Sequence, residues 1–252
     1  MSVIDCYLLG LAMDQNYIHN YLAFTLMEVL DLFKLTFSYC KVVINDETRG
    51  IYLITERQRD YAHCRKYSGH ALYDSINSHM DLDQYMKWLA FNFLTRNSDY
   101  TDEIYMYIDP ADNRLRIIPW DYDDVFSEQP HEGNTTRRKV PGGKFNFSSE
   151  DRLDRVTITD EYLYTEYLHQ LSDVIDILND TNLQALINET YCMVYPYYLD
   201  DAILQTTRHD KYGPTSLANL NATLVNMLNQ FQIIRNSAQS ELIEMLDQTP
   251  PL

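Results

Sequence analysis

The sequence predicts an α+β fold with a largely helical C-terminal portion. Three observations predict it. Two helix-patterned stretches bracket pairs of short β-rich runs in the first half, a Gly/Pro-rich stretch without periodicity follows, and residues 160–247 are helical by pattern almost throughout. With 252 residues and 45% hydrophobic content, the chain is long enough for one large domain or two small ones and can fill a sizeable core.

Each element follows from its residues. In QNYIHNYLAFTLMEVLDL (15–32), Ile18, Leu22, Leu26, Val29 and Leu30 recur at three- and four-residue intervals, the spacing of one helix face, and Asp14 precedes them as an N-cap. The runs TFSYCKVVI (36–44) and IYLIT (51–55) flank NDETRG, which predicts a hairpin with Gly50 closing its turn. DLDQYMKWLAFNFLTR (81–96) sets Leu82, Tyr85, Met86, Leu89 and Phe93 on one face behind an Asp81 cap, so a second helix is expected to stop near Asn97-Ser98-Asp99. A second hairpin is predicted from IYMYI (104–108) and RLRII (114–118); between them Pro110 fixes one backbone angle and Asn113 tolerates a left-handed one. Residues 127–150 hold three of the seven glycines and two prolines and predict a long loop. Beyond it, Leu217, Leu220, Leu224, Leu228, Phe231 and Ile234 make the stripe of one long helix, with Pro214 near its start.

Charge argues against several functions. Thirty-seven acidic residues against 20 basic ones leave a formal net charge of −17, which repels phosphate backbones and anionic lipid over most of the surface. Neither nucleic acid nor a membrane surface is an expected partner. Cys6, Cys40, Cys64 and Cys192 lie far apart in no Cys/His ligand spacing, so no zinc site is expected. The apolar run near the N-terminus is short, follows Asp5 and lacks a basic flank, so neither a signal peptide nor a membrane span is expected within this chain. An export signal would have to lie upstream of Met1. The 21 tyrosines assign nothing by themselves, since Tyr serves cores and recognition surfaces alike.

The stretch IIPWDYDD (117–124) sets three carboxylates against the apolar end of the second hairpin. Asp121 and Asp123 are two apart and would share a face on a continuing strand. Such a pair suits a hard cation such as Mg²⁺, which takes one or two carboxylates and fills its remaining positions with phosphate oxygens and water. A solvated turn would account for the same residues in so acidic a chain, and spacing alone does not separate the two readings. A second acidic centre, Asn97-Ser98-Asp99-Tyr100-Thr101-Asp102-Glu103, ends the second helix, and local turn chemistry is an alternative there too. The order of parts is helix, hairpin, helix, Asp-containing loop, hairpin and Asp pair. A protein kinase, from its first large helix onward, delivers its catalytic-loop Asp and then its metal-binding Asp in that order.

Three longer stretches carry a specific likeness: LLGLAMDQNYIHNYLAFTLMEVL, VVINDETRGIYLITE and LTRNSDYTDEIYMYIDPADNRLRIIPWDYDDVF. Over roughly residues 8–126 the chain resembles the CotH family of spore-coat, atypical protein kinases. The motifs of that family over the matching region are D-x-x-x-x-R-N, N-G-x-x-x-G-x-Y-x-x-x-E, N-x-D, N-x-x-L-Y and I-P-W-D-x-D. The resemblance implies an atypical protein-kinase-like fold lacking most of the N-terminal lobe, with 1–126 as a partial kinase-like core, 127–150 as a long loop and 151–252 as the helical C-terminal portion of the same domain.

It further implies ATP and Mg²⁺ (or Mn²⁺) as cofactors, a protein partner phosphorylated on Ser or Thr, and a spore-coat or extracytoplasmic setting if an upstream signal exists. Carried over residue by residue, Asp99 matches the catalytic aspartate, Asp121 the metal-binding aspartate and Asp123 the second acid of that motif. Glu56 matches the glutamate that ends the first hairpin near the nucleotide, and Glu103 or a neighbour stands where the family has Asn. The family's Arg is His19 here, and its Gly after the Asp pair is Ser127. Arg137, Arg138 and Lys139 form a basic island that would contact phosphate or an acidic substrate, or be a solvated loop cluster. A non-catalytic pseudokinase-like scaffold is the competing reading. A carbohydrate-associated surface protein, drawn from the Tyr content and the sequons at Asn134, Asn146, Asn188 and Asn221, is a third.

Overall fold

The computed structural model describes residues 6–11, 14–32, 36–56, 76–101, 103–127, 145–147, 151–204 and 216–248. Helices and small antiparallel sheets together make the protein α+β, as the sequence predicts. The chain divides into two compact units, residues 1–60 with 180–229 and residues 61–179 with 230–252. Among the described residues no helix is long and apolar enough to cross a membrane. Most of the 127–150 stretch expected to be a loop lies outside the described residues, as do Arg137, Arg138, Lys139, Asn134, Pro214 and the side chain of Glu56.

In the first unit, β1 (Cys6–Gly10), β2 (Phe37–Ile44) and β3 (Glu47–Glu56) form an antiparallel sheet in the order β1-β3-β2. The hairpin turn is tighter than the sequence reading. Ile44 pairs with Glu47, leaving only Asn45 and Asp46 in the turn, both with positive φ (52° and 63°), the signature of a two-residue type I′ loop. Gly50 does not close that turn; it sits within β3 opposite Val42 at φ 103°, beside a bulge that leaves Arg49 without a register partner. A 3-10 turn (Gln15–Tyr17) precedes α1 (His19–Val29), which starts later than the periodicity suggests. Asp14 caps α1 from a distance, its carboxylate accepting the backbone N–H groups of His19 (2.8 Å) and Asn20 (2.9 Å). Residues His19 to Met27 are all buried, so α1 is a core helix rather than an amphipathic surface one, and Val29 of the expected apolar face is exposed. The unit also holds α5 (Asp180–Val194) and a second 3-10 segment, Tyr195–Leu199.

In the second unit, α2 (Leu82–Thr95) begins where the sequence places it, with the Asp81 carboxylate accepting the Gln84 N–H at 3.2 Å. The hairpin of β4 (Ile104–Ile108) and β5 (Leu115–Pro119) turns through Asn113, left-handed at φ 60° as expected. It is docked on the start of α2. Arg116 bonds Asp81 and pairs with Asp109 and Asp112, while the Ile117 N–H donates to Gln84 Oε1 at 3.0 Å. Helices α3 (Arg152–Thr159) and α4 (Glu161–Ile177) follow, with α2 and α3 both packed on α4. Four residues of the first unit, Asp201–Leu204, make α6, and α7 (Leu217–Gln248) contributes its residues up to 229 to the first unit and the rest to the second. Leu220, Leu224, Phe231 and Ile234 of its expected stripe are buried.

Candidate functional site

The site is built where α2 ends. Arg96 takes a left-handed C-cap conformation (φ 47°) that turns the chain off the helix axis. The buried Asn97 side chain then bonds back to Asn92 Oδ1 (3.3 Å), and its own Oδ1 accepts the backbone N–H of Asp99 at 3.3 Å. Opposite this loop runs the exit of the second hairpin. Four backbone bonds hold the two segments side by side and antiparallel: Trp120 N–H to Glu103 O (2.8 Å), Ser98 N–H to Asp124 O (3.2 Å), Phe126 N–H to Thr95 O (2.7 Å) and Ser127 N–H to Arg96 O (3.2 Å). Asp99 on one segment and Asp121 and Asp123 on the other therefore lie between fixed ties. Asp121 and Phe126 also have positive φ (47° and 60°), a conformation costing non-glycine residues on the order of 1–3 kcal/mol that the surrounding bonds must hold in place.

Burial alternates through the acids. Asp99, Asp121 and Asp123 are half-buried, while their neighbours Tyr100 and Tyr122 are fully buried. Both tyrosines reach the same helix residue, Trp88 of α2. The Trp88 Nε1–H donates to the Tyr122 hydroxyl at 2.9 Å, and the Trp88 ring meets Tyr100 edge-on with centroids 5.2 Å apart. Asn92 also bonds the Tyr122 hydroxyl, and burial pushes that phenol well above its ordinary range. The acid-bearing backbone is thus anchored by the inward-facing aromatic side chains of Tyr100 and Tyr122, next to acids that are themselves half-buried.

Tyr100 has a second partner. Its hydroxyl donates to Asp154 Oδ2 of α3 at 2.8 Å, while Tyr85 of α2 donates to Asp154 Oδ1. Asp154 is completely buried, and that burial pushes its pKa up to about 6, opposed by the hydrogen bonds from Tyr85 and Tyr100. The folded chain consequently binds this proton more tightly than the unfolded chain, whose carboxyl keeps the ordinary value of 3.8. Protonation therefore adds stability that is fully present below about pH 4 and is lost as pH rises through about 6. The difference corresponds to about 3 kcal/mol. Other carboxylates, Asp112 among them, shift the opposite way, so the clean measurement is a difference. Between pH 7 and pH 4 the urea stability of the wild type is expected to gain about 2 kcal/mol relative to Asp154→Asn, and parallel pH curves for the two would refute the assignment.

A family model described as CotH kinase protein matches residues 5–67 and 58–237. The chain belongs to the CotH kinase family. Among curated proteins nothing matches it. Of the positions carried over from the CotH motifs, Asp99, Glu103, Asp121 and Asp123 fall together in the second unit, on the two bonded segments. Glu56 ends β3 in the first unit. At the position of the CotH glycine, the Ser127 hydroxyl donates to Asp124 O at 2.9 Å and tightens the turn. His19, at the position of the CotH arginine, is buried with its Nδ1 3.6 Å from the Asp14 carboxylate.

The donor types present suit the Mg²⁺ that the CotH resemblance implies. Among the described residues no three His, Cys, Asp or Glu side chains converge into an all-protein cage. Mg²⁺ does not require one, because one or two carboxylates plus phosphate oxygens and water complete its octahedron. Asp121 and Asp123, half-exposed on either side of a buried tyrosine, fit that demand. The sequence gives no signal for the residues that hold them. Trp88, Asn92, Tyr100, Tyr122 and Asp154 read individually as core filler or turn residues, and only the tertiary structure connects them.

Proposed function

We propose that the chain has a kinase-like fold and is the catalytic body of a CotH-type protein kinase, transferring the γ-phosphate of ATP to a Ser or Thr hydroxyl of a protein partner. The observation carrying this reading is the antiparallel pinning of 95–103 against 120–127, which sets Asp99 opposite the Asp121/Asp123 segment. In the reaction the acceptor oxygen forms a bond to the γ-phosphorus and the bond from that phosphorus to the β,γ-bridging oxygen breaks. ADP leaves, and the hydroxyl proton passes to the Asp99 carboxylate. Asp99 orients the acceptor hydroxyl, and its half-buried position leaves it reachable by a polypeptide segment. Asp121 and Asp123 would hold Mg²⁺ or Mn²⁺, which when bound neutralises charge on the phosphate oxygens. Glu103 is assigned to the nucleotide side.

The net charge of −17 gives the proposal a further consequence. A triphosphate approaching carboxylates is repelled unless its charge is neutralised. Calorimetry is therefore expected to show Mg·ATP binding at roughly 1 µM to 1 mM, a common range for enzyme substrates, and no binding of ATP in excess EDTA. Incorporation of ³²P from labelled ATP into protein Ser or Thr is expected in the same buffer. A folded chain that binds no Mg·ATP and transfers no phosphate would instead be a scaffold.

A further inference from the structure

We propose that Asp154, contributed by α3, is the positioning residue for Asp99. Through Tyr100 its buried carboxylate fixes the loop that presents Asp99 to the acceptor hydroxyl, an inference that rests on the functional reading above. The geometry is specific. Both oxygens of Asp154 are occupied, one by Tyr85 from the body of α2 and the other by Tyr100, the residue directly after Asp99. A carboxylate with no solvent exposure is an expensive choice for filling core volume, because a neutral side chain of similar shape avoids the desolvation cost. What the charge provides is a pair of charge-assisted bonds, shorter and more direction-fixing than neutral ones.

The ties to Asp99 come from both sides in sequence. Its own N–H is held by Asn97 Oδ1, and the next residue is held by Asp154. Tyr100 has no freedom to swing, since its ring is edge-on to Trp88 and it is 2% exposed. A base that must meet a hydroxyl within hydrogen-bond reach gains from such a frame, because a misplacement of about 1 Å can cost about a hundredfold in rate. Helix α3 is thereby coupled to the loop that carries Asp99 through the Asp154 side chain, over a sequence separation of 54 residues.

The test uses the whole chain with Mg·ATP and dephosphorylated casein as acceptor. Asp154→Asn, which keeps the side-chain shape, is expected to lower kcat about thirtyfold to a hundredfold with the KM for ATP changed less than about twofold. Tyr100→Phe, a milder change that retains the ring packing, is expected to produce a similar fall. The double variant should be no worse than the poorer single one by more than about twofold, since both remove the same tie. Amide hydrogen exchange supplies a readout independent of activity. Exchange at Asp99 and Tyr100 should accelerate at least about tenfold in Asp154→Asn, while the amides of Leu89 to Asn92 in α2 keep wild-type protection. Unchanged exchange at Asp99 and Tyr100, or multiplicative losses in the double variant, would overturn the proposal. If the wild type binds no Mg·ATP and transfers no phosphate, the functional reading fails, and exchange at these two amides still decides whether Asp154 holds the loop.

Discussion

Replacing Asp121 with Asn is expected to cut phosphate transfer by about a hundredfold to a thousandfold at saturating Mg·ATP, with the folded structure intact. The size follows from the chemistry. Phosphoryl transfer asks the protein mainly to position reactants and to neutralise charge on the transferring group, and removal of one such electrostatic contact typically costs about 10² to 10³ in kcat. Asn is the informative substitution because Asp121 has positive φ (47°), which Asn tolerates as well as Asp does, whereas Ala would add backbone strain to the loss of charge. The change removes a formal charge and a cation ligand but keeps a carbonyl oxygen at nearly the same place. Raising Mg²⁺ is expected to recover part of the loss if the defect lies in cation affinity. The measurement is ³²P incorporation into casein at several Mg²⁺ concentrations, and a rate within about twofold of wild type would remove Asp121 from the site.

The parts of this molecule that were legible in the sequence are those fixed by neighbours along the chain. The apolar spacing of 81–96 and its Asp81 cap gave α2 to within a residue, and Asn113 identified the turn of the second hairpin. Where the determining partner is remote, the reading failed. CYLLG is too short to declare itself, yet it forms β1 because β3 offers it a partner strand some 45 residues later. The spacing in α1 suggested one apolar face, but His19, Asn20 and Thr25 are buried too, with Asp14 holding the first turn. Glycine commonly marks a turn, which points to Gly50, whereas Asn45 and Asp46 accept the positive φ and leave Gly50 for the bulge.

The same distinction runs through the site. Asp99, Asp121 and Asp123 were visible as acids at the ends of predicted elements, but nothing local indicates that Tyr100 and Tyr122 meet on one tryptophan or that Asp154 lies against Tyr100. The high tyrosine content acquires a physical sense here. Tyr39, Tyr85, Tyr100, Tyr167 and Tyr198 are buried and each donates its hydroxyl to a specific acceptor, so these side chains both fill the core and direct it.

Trp88→Ala is expected to lower stability by about 3–5 kcal/mol, the usual cost of deleting a large buried aromatic side chain. Several features place it in that range. Trp88 is 1% exposed, it contacts Tyr85 and Tyr100 through its ring, and its N–H is a hydrogen-bond donor to the buried Tyr122 hydroxyl. The hydroxyl is not orphaned by the change, because Asn92 remains bonded to it, so the penalty is mainly cavity and lost packing. Against a total stability of about 5–15 kcal/mol typical of a folded domain, that loss is a large fraction. Trp88→Phe separates the two contributions. It keeps most of the ring contact and removes the N–H donor, so its stability cost should be nearer 1 kcal/mol, in line with one neutral hydrogen bond. Transfer activity should nonetheless fall in the Phe variant by more than that stability loss would suggest, because Tyr122 sits between Asp121 and Asp123 and loses the bond that fixes its depth. Urea unfolding can be followed in both variants by the fluorescence of Trp120, the one tryptophan they retain. A cost below about 1 kcal/mol for Trp88→Ala would mean that the acid-bearing segments are held by their backbone ties alone.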